Sequence, residues 1–394
     1  MDAARESPPS AWTVPTVEAA AVLAAPQATV IDLRSPAEFA ADHLPGAGNV
    51  PLFDDVERAL IGTLYQRESP QRAFEEGLRV TEGRIAGLVK ELARAARRPL
   101  PAGDPTAWAR TLCEGGLEGM SRALAPRPTA LGAGPTLVLH CWRGGLRSRS
   151  VIAFCREALG WRDVCGLAGG YKAYRTRVLE ELGAWEAPPT VVLRGLTGVG
   201  KTLVLREFER LRPRATLDLE ACAGHRSSVL GMVGLDPCSQ RTFDSRIAAR
   251  LREGFRGPMV IEGESRKVGD AIVPERVWGA LQGGVNVRLV ADLERRKDVL
   301  IEDYLASAAN RAELHTRLPF IEGRLGAKKW SGVLVSLLET GRERELVEVL
   351  LERYYDPLYR HSETGREVTF DLDATNPAQA ARRLARWIDE REGT

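Results

Sequence analysis

The chain of 394 residues is poor in the residues that build metal clusters and covalent staples: it has six cysteines, at 113, 141, 155, 165, 222 and 238, and five histidines. No two cysteines are spaced as C-x-x-C, and no histidine cluster accompanies them, so no zinc site is expected. Long hydrophobic runs are missing as well. No segment reaches the roughly 18 apolar residues of a membrane span, and the opening Met-Asp-Ala-Ala-Arg-Glu-Ser-Pro-Pro has no apolar stretch of the secretory kind. A reducing cytoplasm and no membrane partner are therefore expected. Net charge is nearly absent too, with 55 Lys and Arg against 53 Asp and Glu, so global charge selects no partner. There is no internal repeat and no low-complexity tract. At roughly 100–200 residues per domain, the length predicts two or three domains.

What the chain does have is concentrated in two stretches. The first is Leu137-Val-Leu-His140-Cys141-Trp142-Arg143-Gly144-Gly145-Leu146-Arg147-Ser148-Arg149. A short apolar run, a cysteine, two glycines and an amphipathic run from Val151 predict a buried strand, a tight loop and a helix start. Such a loop turns successive backbone N–H groups inward, and the helix adds its positive end. A thiol at the loop's first position is favoured there as thiolate, and Trp142, Arg143, Gly144, Gly145, Leu146 and Arg147 would hold an oxyanion or persulfide beside it. From Cys141 to Arg177 the chain carries eight Lys and Arg against two acids, a local surplus fit to guide a polyanion.

Upstream, Thr16 to Ala25 reads as a short helix, Ala28 to Arg34 as a strand, Ser35-Pro36 as a helix start, and His43 to Pro51 as a turn-rich segment with another short apolar element. The fragments Asp32-Leu-Arg34, Glu38-Phe39, His43-Leu-Pro45-Gly46-Ala47 and Asn49-Val50-Pro51, in that order before Cys141, resemble the rhodanese family. That resemblance implies an α/β domain that shuttles sulfur or selenium on the cysteine. Residues of about 54–134 read as a helical insertion, with Pro99 to Pro105 and Pro126 to Pro135 as loops. After the cysteine loop come a helix from Ser148 to Leu159, a strand running into Gly169-Gly170-Tyr171, a helix from Tyr171 to Leu182, and a linker at Gly183 to Pro189.

The second stretch is Thr190-Val-Val-Leu-Arg-Gly195-Leu-Thr197-Gly198-Val199-Gly200-Lys201-Thr202, an apolar strand running into G-x-x-x-x-G-K-[ST] with helical spacing beyond. Strand, loop and helix supply the context that this motif requires. The N–H groups of Gly195 and Thr197 to Gly200 would cradle a diphosphate, Lys201 would reach its outer phosphate, and Thr202 would hold Mg²⁺ if one is used. Ala215 to Glu220 reads as the next strand, with Asp218 and Glu220 at its end. A polar loop with His225 and Arg226 follows. Phe255 to Lys267 reads as a strand ending in Glu262, Glu264, Arg266 and Lys267, where a P-loop protein often carries a carboxylate on the metal side. Val285 to Asp292 reads as a strand, Leu293 to Tyr355 as mostly helical, and Val368 to Asp373 as a strand before a last helix, Pro377 to Glu390.

The two halves together resemble the tRNA 2-selenouridine synthase family. The match is carried by His140 to Ser148, Gly169-Gly170-Tyr171-Lys172, the loop 195–202, Asp218-Leu-Glu220 with Gly224 to Ser228, Ile261 to Lys267, and Tyr354-Tyr355-Asp356-Pro357-Leu358-Tyr359. One departure is Ala221, where the family usually has glycine. The resemblance implies a transferase acting on wobble 2-thiouridine in the anticodon stem-loop of tRNA. Sulfur would first be alkylated from geranyl diphosphate, and selenium from selenophosphate would then replace the S-geranyl group, with Cys141 needed for the selenium step. An unstacked anticodon base is cheap to present, with Trp142, Tyr171 or His225 as stacking candidates. The implied fold is α/β: a rhodanese-like domain at 12–183, a P-loop domain with a parallel sheet at 190–315, and a mostly helical extension at 316–394 packed on it. Three other readings are open. His140-Cys141-x-x-Gly144-x-x-Arg147 also fits a cysteine-dependent phosphatase loop. The first half could act alone as a thiosulfate sulfurtransferase, and the second as a nucleotide-dependent kinase.

Overall fold

The computed structural model describes residues 12, 14–100, 106, 109, 113, 115–132, 134–358 and 367–392. The expected N-terminal tail, the Pro99 to Pro105 loop beyond residue 100 and Tyr359 lie outside the described residues. The chain divides into two compact units, Met1–Glu180 and Glu181–Thr394.

The first unit is built on six parallel strands: β1 (Val14–Val17), β2 (Thr29–Asp32), β3 (Gly48–Asn49), β4 (Pro126–Pro128), β5 (Leu137–His140) and β6 (Val164–Leu167), in the order β3-β2-β5-β6-β1-β4. The central strand β5 is Leu-Val-Leu-His, buried at every position, as a parallel strand covered on both faces must be. Asp32 of β2 stands opposite His140 of β5, so both strands deliver polar side chains to the same sheet end. Helices Asp55–Arg67, Pro70–Ala95 and Gly116–Ala123 fill most of the stretch between β3 and β4.

Two expectations are corrected here. Residues 126–128 are not loop but the edge strand β4. Val14 N–H donates to the Ala125 carbonyl at 3.0 Å and Thr129 N–H to the Thr16 carbonyl at 2.8 Å. Pro126 and Pro128 have no N–H to give, which restricts such a strand to an edge. Thr16 and Val17 belong to β1 rather than to a helix, and the helix is only Ala19–Leu23. Pairing with Gly166 and Leu167 overrides the local helical spacing.

The second unit holds five parallel strands: β7 (Thr190–Arg194), β8 (Thr216–Leu217), β9 (Met259–Glu262), β12 (Val285–Val290) and β13 (Phe370–Asp373), in the order β13-β12-β7-β9-β8. A small antiparallel hairpin, β10 (Lys267–Val268) and β11 (Ala271–Ile272), stands apart. The region 316–394 is not all an appended extension. Its β13 pairs with β12, and the helix Pro377–Glu392 shares the apolar cluster of Val204, Leu205 and Phe208 from the helix after the glycine loop. The remaining helices, from Leu293 to the π-helical turn Leu350–Tyr355, form a second apolar cluster around Leu314, Leu318, Leu334 and Leu350. The strand expected over Ala215 to Glu220 is also shorter, ending at Leu217. Asp218 is the N-cap of a short helix, Leu219–Ala223, so Glu220 sits in a helix's first turn and not on a strand.

Among the described residues, no helix is long and apolar enough to cross a membrane.

Candidate functional site

In the first unit the cysteine stands where β5 ends. Cys141 is buried, and its Sγ lies 3.3 Å from the Ser148 hydroxyl. The loop runs 142–145 and enters the helix Leu146–Glu157, whose N-cap, Gly145, offers no side-chain oxygen to the first turn. The helix's first N–H groups are thus left for a ligand, which is the arrangement that favours anions. Gly169-Gly170 closes on the loop from below. A Cβ at Gly170 would stand 2.4 Å from both the Cys141 carbonyl oxygen and the Gly144 nitrogen, so only glycine fits. Just beyond, Tyr171 N–H donates to the Cys141 carbonyl and Lys172 N–H to the Trp142 carbonyl, both at 2.9 Å.

Behind the loop lies a buried polar assembly drawn from distant fragments. The Arg34 guanidinium donates to both Asp32 carboxylate oxygens, and Nη2 also donates to the Asp42 carbonyl at 2.6 Å. The side chains of Asp32 and Arg34 are almost fully buried, at 0 and 1% exposure. The Tyr171 ring lies 3.7 Å from the Arg34 guanidinium carbon, and its hydroxyl donates to Asp42 at 2.7 Å. Trp142 packs 5.3 Å from Tyr171. Asn49 holds the carbonyls of Asp32 and Arg34 from the side. His140 is completely buried and lies 3.8 Å from Asp32, and burial pushes its pKa down, so the ring is held neutral. The sequence pattern marked Asp32, Arg34 and Asn49. It gave no sign of Asp42, which stands in no motif, and it assigned no role to Ser148 within the cysteine loop; both act through contacts made by folding.

Of the loop cations, Arg149 Nε donates to the Gly144 carbonyl, Arg147 faces Glu38 at 3.9 Å, and Arg143 is exposed. Burial pushes the thiols of Cys113 and Cys165 up to about 11 and those of Cys155 and Cys222 up to about 12, so these four stay protonated.

The second unit repeats the strand–loop–helix plan. From β7 the chain passes through Gly195 to Gly200 into the helix Lys201–Leu211. Gly195 has φ 140°, and a Cβ there would lie 2.6 Å from the Leu289 carbonyl oxygen, so the turn needs glycine. Lys201 Nζ donates to the Gly195 carbonyl at 3.1 Å and so lies folded over its own loop. The Thr202 hydroxyl is 3.1 Å from Glu220 and 3.2 Å from Glu262. Glu262 in turn accepts from the Glu220 backbone N–H at 2.9 Å. Ligand oxygens of Glu220, Glu262 and Glu264 all lie within 4.8 Å of one another. Burial pushes all three carboxyl groups up, Glu220 to about 8; repulsion from a neighbouring glutamate comes next for Glu220 and Glu262, whereas Lys201 works against the rise at Glu264.

A cleft of about 270 Å³ opens beside this loop. Its lining includes the polar Thr197, Gly198, Gly200, Lys201, Thr202, Glu220 and Glu264 together with Leu203, Leu235, Val299, Leu300 and Tyr304. Arg206, Arg226 and Asp303 also line it. Several expected residues stand elsewhere. Val199 is buried under the loop. Asp218 caps its helix through the Ala221 N–H. His225 is buried against Gly231 and Gly269 and does not line the cleft. Arg266 and Lys267 turn outward to Glu275 and Asp270, since β10 leads the chain away from the sheet end. Arg296 was not foreseen: its Nε donates to the Thr197 carbonyl at 2.9 Å while the guanidinium pairs with Asp356. That contact ties the Tyr-Tyr-Asp segment, 160 residues away in the chain, to the glycine loop.

A parallel sheet with its Gly-Lys-Thr loop at a strand end defines the second unit as a P-loop phosphate-binding domain. The family model for the tRNA 2-selenouridine synthase AAA domain matches residues 188–391. Three proteins described as tRNA 2-selenouridine synthase are similar along most of the chain. The protein of Cupriavidus pinatubonensis is 31% identical over 86% of this chain and 89% of its own. That of Chromohalobacter salexigens is 30% identical over 84% and 87%. That of Shewanella denitrificans is 30% identical over 92% and 94%. The chain belongs to the tRNA 2-selenouridine synthase family. It is a tRNA-modifying enzyme of the transferase type.

Proposed function

We propose that this enzyme converts wobble 2-thiouridine in tRNA to 2-selenouridine in two steps, using geranyl diphosphate and then selenophosphate, and that the steps divide between its two loops. The observation that carries the reading is the cleft of the second unit, which is lined both by the Gly-Lys-Thr loop and by apolar side chains. A diphosphate ester of an apolar alcohol suits both. The leucines and Val299 would take the chain, and the loop N–H groups and Lys201 the diphosphate.

In the first step the thiouridine sulfur attacks the carbon bearing the diphosphate, the carbon–oxygen bond breaks, and diphosphate leaves. The charge growing on that leaving group is stabilised by loop amides and by Lys201, which must turn from the Gly195 carbonyl to meet it. Glu220, Glu262, Glu264 and the Thr202 hydroxyl fit Mg²⁺, a hard cation that prefers oxygen ligands, and such an ion would neutralise diphosphate charge.

In the second step the selenium of selenophosphate attacks C2 of the base and the C2–S bond breaks, releasing geranyl thiol; water then cleaves the selenium–phosphorus bond, releasing phosphate and leaving 2-selenouridine. An alkylated sulfur is the better leaving group, which gives the first step its purpose. The first unit is read as a rhodanese-like domain spanning residues 12–183. Its Cys141 serves the selenium step, and Trp142 to Arg147 hold the phosphate oxygens of selenophosphate through backbone N–H groups and guanidinium charge. The open helix start at Gly145 and the Arg-rich loop support this assignment.

The test is mass spectrometry of nucleosides from 2-thiouridine tRNA treated with geranyl diphosphate and then selenophosphate. Wild type should form both products. Cys141→Ala should stop at the S-geranyl nucleoside, and Lys201→Ala should lower geranylation by about 10²–10³-fold. Equal loss of both products in Cys141→Ala would break the division of labour, and no change of nucleoside mass with wild type would overturn the reading.

A further inference from the structure

The helix Ala308–Trp330 carries a surface that neither loop accounts for. Phe320 is 52% exposed and is the one exposed aromatic among the described residues of the second unit. It stands one helical step from Arg324, whose guanidinium carbon lies 5.2 Å from the ring centre. The helix breaks at Gly326, with φ 111° and ψ 100°, and its last turn bears Lys328, Lys329 and Trp330. Lys329 lies over the Trp330 ring at 5.5 Å. Arg324, Lys328 and Lys329 are exposed and form no ion pair among the described residues. The helix's two acids are engaged elsewhere. Glu313 pairs with Arg317. Glu322 is buried and accepts from the N–H groups of Gly332, Leu334 and Val335, which pins the turn just after the two lysines.

This ten-residue stretch combines an exposed phenylalanine with three exposed cations that form no ion pair among the described residues. It has the composition that binds unpaired nucleic acid, with cations for phosphates and aromatic faces for bases. We propose that this strip, Phe320 to Lys329, is a tRNA-docking surface, with Phe320 stacking on an unpaired base and the three cations contacting backbone phosphates. The proposal rests on the family's action on tRNA. It adds a place of contact that belongs to neither loop, and charge complementarity selects RNA as the occupant.

Fluorescence anisotropy with a labelled full-length tRNA transcript, read between about 50 and 200 mM salt, tests it on the full chain. Phe320→Ala should weaken binding by about tenfold, and Phe320→Trp should restore it. The triple variant Arg324→Gln, Lys328→Gln, Lys329→Gln should lower the slope of log affinity against log salt by about 2. Thermal unfolding of each variant separates lost binding from lost folding. An unchanged slope in the folded triple variant overturns the surface, as does a Phe320→Ala loss that Phe320→Trp fails to recover. Wild-type protein that binds no tRNA would instead overturn the tRNA reading itself.

Discussion

The two loops share one construction and differ in the side chains set around them. Each follows a central parallel strand, turns on glycines and enters a helix whose N-terminus lacks a side-chain cap. Around Cys141 the loop's charges are arginines, and of the buried carboxylates at its base Asp32 is neutralised by Arg34 while Asp42 accepts from the Tyr171 hydroxyl. Around Lys201 three glutamates converge and burial holds them toward the protonated form. The same backbone device therefore serves two ligand problems. One loop is ready for an anion as it stands, while the other has carboxyl groups whose ionisation needs a cation.

The sharpest way to break that comparison is to remove the neutralising partner in the first unit. Arg34→Met leaves Asp32 buried and unpaired, which should cost about 3–5 kcal/mol and lower the unfolding midpoint by on the order of 10 °C. Asp42→Asn, which keeps an acceptor for Tyr171, should cost far less. Calorimetry on the full chain distinguishes them, and equal effects would show that the Arg34–Asp32 pair is not what holds the loop's base.

A smaller effect sharpens the comparison through pH. His140 is depressed below its usual 6.5 by burial, so its unfolded form binds more protons under that pH. The first unit's stability is full above about 6.5 and declines as pH falls. Glu220 is raised from 4.5 to about 8, so the folded form holds the extra proton between those values. Glu220's contribution to the second unit's stability is therefore full below 4.5 and declines as pH rises toward about 8. Hydrogen exchange on peptides from each unit of the full chain should show slopes of opposite sign. His140→Gln should flatten the first and Glu220→Gln the second, and parallel slopes would refute the contrast.

The smallest effect belongs to the exposed pair Arg288–Asp371, bidentate but half open to water on β12 and β13. Arg288→Ala should cost less than about 1 kcal/mol in denaturant unfolding, despite bonds as short as those of Arg34. A loss matching that of Arg34→Met would mean that burial is not what separates the two pairs.

Both loops were legible in the chain because each is a contiguous run. Apolar strand, glycines and helix start are all local, and a P-loop or a cysteine loop requires those residue types in that order. The carboxylates Glu220, Glu262 and Glu264 were also marked, since they end or follow apolar runs. Arg266 and Lys267 were read into the same site by adjacency alone, and a two-residue hairpin strand turned them out. β4 escaped notice because two of its three residues are proline and nothing in it is apolar enough to announce a strand.

By itself, then, the order of residues determined the two α/β sheets' central strands, the two glycine-turned loops and the family, because these depend on short-range patterns of burial and backbone freedom. Only the tertiary structure decided which distant side chains meet. Asp42 reaches Tyr171 across 129 positions, Arg296 joins Asp356 to the glycine loop, and β13 completes a sheet begun some 180 residues earlier. Such contacts have no local signature, since a buried charge finds its partner by the packing of elements and not by its distance along the chain.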